Sequence, residues 1–250
     1  MKKERQRLDK ELLKRGLADT RQRAQGLILS GKVLVDGQRV DKSGAPVGED
    51  SVITLTGADI PYVSRGGLKL KAAVQNFTID LSGKVCADIG ASTGGFTDCM
   101  LQEGAARVYA VDVGYGLIDA GLRADPRVTV IERTNVRHME PGLFGERVDF
   151  AAVDVSFISL ALILGPVAAA VKPGGEVVAL VKPQFEAGRG HVGKGGIVRD
   201  EKARRGAVEE VKKFAVTAGL EVLGEMESPV RGAKGNIEYL LRLRKPQRQG

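Results

Sequence analysis

Two lysines and two carboxylates are the residues of this sequence best suited to acid–base chemistry. They occur in the order Lys69, Asp154, Lys182, Glu238, and two of them end apolar runs. A lysine that gives up its proton is a general base, and a neighbouring carboxylate orients it. Each residue alone is most simply explained as a solvated charge. Together the four are a lysine–acid–lysine–acid set and are the candidates for catalysis.

A turn of small residues is a second candidate for ligand binding. It reads Gly90-Ala-Ser-Thr-Gly-Gly and therefore lacks both the Gly-x-Gly-x-x-Gly of dinucleotide sites and the ending of a P-loop. Small residues let a ligand approach the backbone, and an acidic residue about 20 positions on accepts hydrogen bonds from ribose hydroxyls. Asp112 is such a residue, which favours the cofactor S-adenosyl-L-methionine. We expect the cofactor to contact Asp88, Gly90, Ser92, Thr93, Gly94, Gly95, Phe96, Asp112, Val113 and Asn135.

The elements that would position these residues are apolar runs separated by helical stretches, one of them over residues 96–104. This alternation is typical of an α/β fold, here a Rossmann-like, mostly parallel, doubly wound sheet with helices on both faces. Ligands bind such sheets at the carboxyl ends of the strands, where Asp88, Asp112, Asp154 and Lys182 fall. The predicted strands are 83–89, 108–112, 128–131, 148–154, 176–182, 221–227 and 238–243.

The beginning of the chain has the pattern of a separate, small α+β module. Leucines at helical spacing predict a helix over residues 5–15, and Thr20 is the predicted cap of a second helix over 21–30. Asp36-Gly37 between alternating apolar residues predicts a β-hairpin, and residues 52–55 are a further strand. We therefore predict domains at residues 1–60 and 67–250, joined by a linker at 61–66.

Positive charge is concentrated in that module. The chain has 38 Lys and Arg against 31 Asp and Glu, and residues 1–40 account for +6 of the net +7. A basic module joined to a nearly neutral body predicts a polyanionic partner. No aromatic residue precedes Tyr62, so phosphates of a folded RNA are a better target than unstacked bases. The side chains expected to contact RNA are Arg5, Arg21, Arg23 and Arg65.

Several classes of protein are excluded by simpler observations. The apolar run 160–171 is interrupted by Gly165 and Pro166 and is too short for a membrane helix. The first residues lack the apolar stretch of a secretory signal. The two cysteines, Cys86 and Cys99, and the two histidines lack the spacing of a zinc site, so the thiols are predicted core residues. We expect a cytoplasmic monomer without metal or membrane association.

Three groups of motifs resemble known families. Residues 5–40, with Thr-Arg-Gln-Arg-Ala and Val-Asp-Gly, resemble the S4 domain, a small RNA-binding fold. The stretch Asp88-Ile-Gly-Ala-Ser-Thr-Gly-Gly-Phe-Thr and the order of the four candidate catalytic residues resemble FtsJ-like ribose 2′-O-methyltransferases. With Val181-Lys-Pro-Gln-Phe-Glu and Gly235-Asn-Ile-Glu added, the chain resembles the TlyA family, often labelled hemolysin, from about Arg5 to Arg244.

The resemblance implies an S-adenosylmethionine-dependent enzyme that methylates cytidine 2′-hydroxyls of ribosomal RNA. It implies the large ribosomal subunit as target, with the small subunit added in longer family members. It also implies that Lys182 is the general base, that Asp154 orients it, and that Lys69 and Glu238 steer the ribose.

Two other hypotheses stay open. One is a non-catalytic RNA-binding or ribosome assembly factor, and the other is methylation of a base or of protein. A base methylase more naturally shows Asn/Asp-Pro-Pro-aromatic after the fourth strand, where this sequence has Asp154-Val-Ser-Phe.

Overall fold

The computed structural model describes residues 5–18, 20–55, 60–140 and 142–247. The chain divides into a small unit, residues 1–59, and a large unit, residues 60–250. The predicted linker at 61–66 falls within the large unit, where Tyr62 is buried in the core and Gly66 begins a helix. The residues expected to connect two domains therefore pack as part of one of them.

The first described element of the small unit is a strand rather than the predicted helix. Two predictions are confirmed, because the Thr20 hydroxyl accepts a hydrogen bond from the Arg23 N–H, and the hairpin turns at Asp36-Gly37. The described elements are β1 (Arg5–Arg7), α1 (Leu8–Lys14), α2 (Arg21–Leu29), β2 (Val33–Val35), β3 (Gln38–Arg39), β4 (Pro46–Gly48) and β5 (Ile53–Leu55).

The predicted helix over residues 5–15 is wrong at its start. Residues 5–7 are extended and pair with β4, so that Arg5 lies opposite Gly48. The helix starts only at Leu8, whose N–H donates to the carbonyl of Ala45 at 2.9 Å. Strand β4 was not predicted because Pro46 and Gly48 are poor strand formers, although a two-stranded ribbon tolerates them at its edge.

The large unit follows the predicted alternation of strands and helices. Strand β10 is longer than predicted, because its ladder is interrupted by a bulge between Val171 and Glu176 rather than ended there. The described helices and strands are α3 (Gly66–Asn76), β6 (Val85–Ile89), α4 (Gly95–Gln102), β7 (Arg107–Val111), α5 (Ala120–Ala124), β8 (Val128–Ile131), β9 (Val148–Val153), α6 (Leu164–Ala170), β10 (Val171–Val181), α7 (Pro183–Glu186), α8 (Glu201–Thr217), β11 (Glu221–Glu227) and β12 (Tyr239–Arg244).

Seven strands form one mixed sheet in the order β11-β12-β10-β9-β6-β7-β8. The five strands from β10 to β8 are parallel, and β12 runs antiparallel to both of its neighbours. The chain proceeds from β6 to β7 and β8 on one side and then returns to place β9 on the other side of β6. This reversal is the point at which doubly wound sheets bind their ligands, and the predicted α/β class is confirmed.

Each face of the sheet has its own hydrophobic core. Ala151 and Val153 of β9 pack on one face with Val208 and other residues of α8, whereas Phe150 packs on the opposite face with residues of α3 and α4. This alternation follows from the two-residue period of a strand. The thiols of Cys86 and Cys99 are buried, as predicted, and burial raises the pKa of each to about 12. Among the described residues, no helix is long and apolar enough to cross a membrane.

Candidate active site

The carboxyl ends of β6 and β9 meet at the reversal of the sheet. The Asp154 N–H donates to the carbonyl of Ile89 at 2.9 Å, which fixes the first residue after β9 beside the first turn after β6. Gly90 has a φ of +91°, and a Cβ there would lie 2.5 Å from the Asp154 carbonyl oxygen. Glycine is required at this position because any side chain would force the two strand ends apart.

Lys69 and Glu238 form a buried pair at this edge of the sheet. The Nζ atom of Lys69 donates to Oε2 of Glu238 at 2.5 Å. The two residues are only 8% and 2% exposed. Lys69 lies in the first turn of α3, and Glu238 directly precedes β12. A buried carboxylate without its cation is costly, so each charge requires the other.

Lys182 and Asp154 form a second pair across neighbouring strands. Lys182 follows β10 and Asp154 follows β9, and their Nζ and Oδ1 atoms are 2.6 Å apart in an ion pair that lacks hydrogen-bond alignment. The Lys182 ammonium donates to the hydroxyl of Ser156 at 2.8 Å. The ammonium is therefore held from two sides by residues of one loop.

A cavity of about 310 Å³, which we name the lysine cavity, brings the predicted catalytic residues together. Lys69, Asp154 and Lys182 line it, and Glu238 lies behind Lys69. Arg65, the residue before α3, and Arg231, between β11 and β12, also line it. The lysine cavity thus combines two lysine–acid pairs with two arginines, a set suited to an anionic substrate.

A second cavity of about 480 Å³, the Asp112 cavity, adjoins the first. The two share Gly90, Ser92, Asp154 and Ser156, so a ligand in one lies next to a ligand in the other. Five residues predicted to bind the cofactor line the Asp112 cavity, namely Gly90, Ser92, Asp112, Val113 and Asn135.

Asp112 ties the small-residue turn to the loop after β7. Its Oδ2 atom accepts a hydrogen bond from the Ser92 N–H at 2.8 Å, and its Oδ1 atom accepts one from the Gly114 N–H at 2.7 Å. Each carboxylate oxygen has further lone pairs. Asp112 therefore shapes the turn and still has acceptor capacity for a ligand.

Asp88 carries a carboxylate oxygen that the protein leaves unpaired. The side chain is completely buried, and its Oδ2 atom accepts two hydrogen bonds from Thr97, at 2.8 Å from the N–H and 2.7 Å from the hydroxyl. Its Oδ1 atom has no hydrogen-bond partner among the described residues. Burial raises the pKa of Asp88 to about 7, and the charge of Asp154 adds to this effect.

The remaining predicted cofactor residues lie on the other side of the turn. Asp88, Thr93, Gly95 and Phe96 line the lysine cavity rather than the Asp112 cavity, and Gly94 lines neither. Gly94 instead has a φ of +95° at the residue before α4 and so sets the direction of that helix. The structure therefore divides the predicted cofactor residues between two adjoining cavities.

Sequence reasoning missed Ser156, Arg231 and Phe157. Ser156 stands in the quoted motif after Asp154, but a serine in a loop carries no signal of contact with a lysine. Arg231 lies in a loop whose position relative to the site depends on the antiparallel strands β11 and β12. Phe157 lines the Asp112 cavity, is 91% exposed and has a φ of +65°, a strained conformation that is found at functional sites.

In the small unit, a buried carboxylate organises two of the arginines. Asp9 is fully buried and accepts hydrogen bonds from Nε of Arg7 at 2.9 Å and Nε of Arg21 at 3.1 Å. The hydrogen bonds from Arg7 hold the pKa of Asp9 well below its usual range. Arg5 is exposed and Arg23 is half-buried. Arg21 is thus oriented by Asp9, with its side chain still half exposed.

In the described ranges, no group of three or more His, Cys, Asp or Glu side chains is arranged to hold a metal ion. The structure instead shows a doubly wound sheet with a small-residue turn after β6, an acid after β7 and two lysine–acid pairs. Together these features define a Rossmann-like methyltransferase. The chain belongs to the FtsJ-like methyltransferase family, whose model matches residues 62–245, and to its TlyA and hemolysin group, in which an S4 domain, matched here at residues 6–53, precedes that domain.

Two known proteins similar to nearly the whole chain support this assignment, and a third shares the fold of the large unit. The 16S/23S rRNA (cytidine-2′-O)-methyltransferase TlyA of Mycobacterium tuberculosis is 46% identical, over 96% of this chain and 90% of that protein. A solved hemolysin structure from Streptococcus thermophilus is 46% identical, with a TM-score of 0.77 over 98% of this chain and 91% of that one. The N-methyltransferase NodS of Bradyrhizobium japonicum, in complex with S-adenosyl-L-homocysteine, shares the fold at 16% identity and a TM-score of 0.52, over 76% of this chain and 94% of that one.

Proposed function

We propose that this protein transfers a methyl group from S-adenosyl-L-methionine to the ribose 2′-hydroxyl of cytidine in ribosomal RNA. The observation that carries the proposal is the convergence of Lys69, Asp154 and Lys182 on a cavity that adjoins a second, acid-bearing cavity. One cavity suits a ribose hydroxyl and the other suits a nucleoside cofactor. An enzyme that acts on ribosomal RNA is expected in the cytoplasm. All the residues proposed for the site belong to one chain, so the proposal needs no second subunit.

The residues present fit S-adenosylmethionine. The Asp112 cavity has an acid with free acceptor capacity for ribose hydroxyls, and apolar side chains such as Val113 and Ile158 for the adenine. Asp88, whose buried Oδ1 atom has no partner among the described residues, is one of the residues around the adjoining lysine cavity, and a nearby positive charge would stabilise its carboxylate. When bound, the cofactor supplies an activated methyl group on a sulfonium.

The chain's own residues then have to align the hydroxyl and remove its proton. Lys182 is the proposed general base, because its Nζ atom lines the cavity and is oriented by Asp154 and Ser156. Proton removal by the Nζ atom requires the neutral amine, so the ammonium must first lose a proton to solvent. Lys69, held by Glu238, contributes a fixed donor for a ribose or phosphate oxygen. Most of the rate enhancement would come from alignment of the two reactants.

RNA binding is proposed for the basic surface of the small unit and for Arg65 at the lysine cavity. Arg5, Arg21 and Arg23 belong to the S4-like unit, and Asp9 keeps the guanidinium of Arg21 in a defined orientation. Contacts of this kind neutralise phosphates and do not read sequence. The target nucleotide is then selected by shape around the lysine cavity.

Cofactor affinity is expected to rise between about pH 6 and about pH 8, because Asp88 ionises there. An ionised carboxylate attracts the cationic cofactor, so binding strengthens as pH rises through the Asp88 pKa of about 7. The opposite sign applies to folding. The folded protein holds the Asp88 proton more tightly than the unfolded chain does. The contribution of Asp88 to the free energy of unfolding therefore decreases as the pH rises from about 4 to about 7.

Calorimetric titration with S-adenosyl-L-homocysteine and S-adenosylmethionine at several pH values measures this effect. Asp88→Asn should bind more weakly and lose the pH dependence, because the amide does not titrate. Asp80→Asn, an acid outside both cavities, is the matched control. The same pH dependence in wild type and Asp88→Asn would show that Asp88 does not face the cofactor.

The direct test of the proposed activity uses the full chain, labelled S-adenosylmethionine and ribosomal RNA, both free and in isolated subunits. Nuclease digestion of the product should recover the label in 2′-O-methylcytidine. Recovery of the label in a methylated base or in protein would replace the proposal. Tight RNA binding without any transfer would favour the assembly-factor hypothesis.

A further inference from the structure

The segment 187–199, between α7 and α8, carries positive charge that the proposed mechanism does not use. It contains five glycines, three Lys or Arg residues and no acidic residue. Lys194 and Arg199 are exposed and have no ion-pair partner among the described residues. We name residues 187–199 the glycine-rich segment.

The acids that flank the glycine-rich segment are already engaged. The Glu186 carboxylate accepts hydrogen bonds from the Ser159 hydroxyl at 2.6 Å and from the Leu160 N–H at 2.9 Å. Asp200 caps α8 by accepting from the Lys202 N–H at 3.0 Å. Neither of these flanking acids forms an ion pair with Lys194 or Arg199.

The glycine-rich segment has a defined shape at its centre. The Gly193 N–H donates to the carbonyl of Ile197, and the Gly196 N–H donates to the carbonyl of Gly193, both at 3.0 Å. Lys194 lies within this closed turn, and Val198, only 2% exposed, anchors it in the large unit. A preformed turn loses little conformational entropy when its lysine meets a partner.

Asn236 fastens this turn to the residues just before β12, among which is Glu238. Its Nδ2 atom donates to the carbonyl of Gly196 at 2.9 Å, and its Oδ1 atom accepts from the Val198 N–H at 3.2 Å. The residue is 3% exposed. An apolar substitute would leave two buried backbone groups without partners.

The same asparagine also holds the rim of the lysine cavity. Its backbone carbonyl accepts from the Gly232 N–H at 2.9 Å, and Gly232 and Arg231 line the cavity. A Cβ on Gly232 would collide with the Glu238 carboxylate. Asn236 thus connects the glycine-rich segment with the rim of the lysine cavity, two residues before Glu238.

We propose that the glycine-rich segment is a second RNA-contacting surface, which binds phosphates beside the target ribose, and that Asn236 is the positioning residue that holds it at the cavity rim. Three features of the segment fit a polyanionic partner. It has cations without ion-pair partners among the described residues, it has no acidic residue, and its glycines let a phosphate approach the backbone closely. The inference rests on the proposed function, because the adjoining cavity is taken to bind a ribose of RNA.

The test measures binding of the full chain to protein-free large-subunit ribosomal RNA over a range of salt concentrations. Lys194→Gln/Arg199→Gln should weaken binding about tenfold and reduce the salt slope by about 1 to 2, since each phosphate contact contributes about 0.7 to 0.9. Affinity for S-adenosyl-L-homocysteine should not change. Lys84→Gln/Lys213→Gln removes the same charge before β6 and late in α8 and should leave the slope nearly unchanged.

Asn236→Ala should weaken RNA binding in the same way at unchanged cofactor affinity. Combined with Lys194→Gln/Arg199→Gln, it should have a less than additive effect, because both changes act through one segment. If the losses of RNA affinity are additive, Asn236 does not act through the glycine-rich segment and its role is only structural. If Asn236→Ala does not fold, the Lys194→Gln/Arg199→Gln variant alone decides whether the segment contacts RNA.

Methyl transfer by the same wild-type preparation separates the possible failures. If the wild type is active and its RNA binding has the same salt slope as that of Lys194→Gln/Arg199→Gln, the glycine-rich segment does not contact RNA. If Lys194→Gln/Arg199→Gln loses affinity for assembled subunits but not for free RNA, the proposed RNA contact is wrong and the segment instead contacts an acidic protein. An inactive wild type would overturn the proposed function instead.

Discussion

Replacing Lys182 by alanine is expected to lower single-turnover methyl transfer to ribosomal RNA by about a hundred- to ten-thousandfold, the range of a lost general base. The Lys182 ammonium lies 2.6 Å from Asp154 and 2.8 Å from the Ser156 hydroxyl, and both of these partners line the two cavities. Because the proton leaves in the chemical step, affinities for cofactor and RNA should change little.

The control for this variant is a lysine near the start of β10, the strand that Lys182 follows. Lys172→Ala removes a lysine that pairs with Asp149 near the other end of β10, and it should keep full activity. Rapid-quench measurement with saturating enzyme separates chemistry from binding. If Lys182→Ala transferred the methyl group at the wild-type rate, the base would have to be another group and Lys182 only a structural cation.

Removal of residues 1–59 is expected to abolish most RNA affinity while leaving cofactor binding intact. The large unit has its own cores on both faces of its sheet and contains both cavities. Residues 1–40 carry +6 of the net charge of +7, so the strongest attraction for phosphates is lost with them. The salt slope of RNA binding should become shallower in proportion.

The truncated protein needs a check of its folding, for which circular dichroism and calorimetry with S-adenosyl-L-homocysteine suffice. Arg5→Gln/Arg21→Gln/Arg23→Gln in the full chain is the matched variant, and it should reproduce a large part of the loss. Equal RNA affinity and slope for the truncated and full-length proteins would show that the small unit is not the RNA anchor.

Parts of the site near the central strands were predictable from the sequence. Asp154 and Lys182 end two apolar runs, and the carboxyl ends of neighbouring parallel strands meet at one edge of a sheet. Their pairing follows once the two strands are placed side by side. Gly90 was predicted for a different reason, namely that small residues let a ligand approach the backbone, and the structure shows that it also accommodates the Asp154 carbonyl.

The pairing of Lys69 with Glu238 could not be derived in this way. The two residues are 169 positions apart, on a helix and before an antiparallel strand, and periodicity carries no information about such contacts. Only the resemblance to a family put them in one set. The roles of Arg231 and Asn236 were likewise hidden, because they depend on the path of the loop between β11 and β12.

The errors in the small unit have a local cause. The spacing of Leu8, Leu12 and Leu13 predicts a helix. The backbone of the residues before Leu8 instead pairs with β4, a strand that no residue propensity indicated. Tertiary pairing overrides propensity in short segments of this kind. The predicted RNA contacts of Arg5, Arg21 and Arg23 remain predictions, although Arg21 has an orientation that the sequence did not indicate.

The central claim is ribose methylation of ribosomal RNA, and mapping of 2′-O-methylated nucleotides tests it most directly. Ribosomal RNA would be compared from cells that contain the protein, cells that lack it, and cells in which Lys182→Ala replaces it at equal abundance. We predict at least one cytidine, in large-subunit RNA, that is methylated in the first sample and unmodified in the other two. An identical methylation map in all three samples would contradict the account.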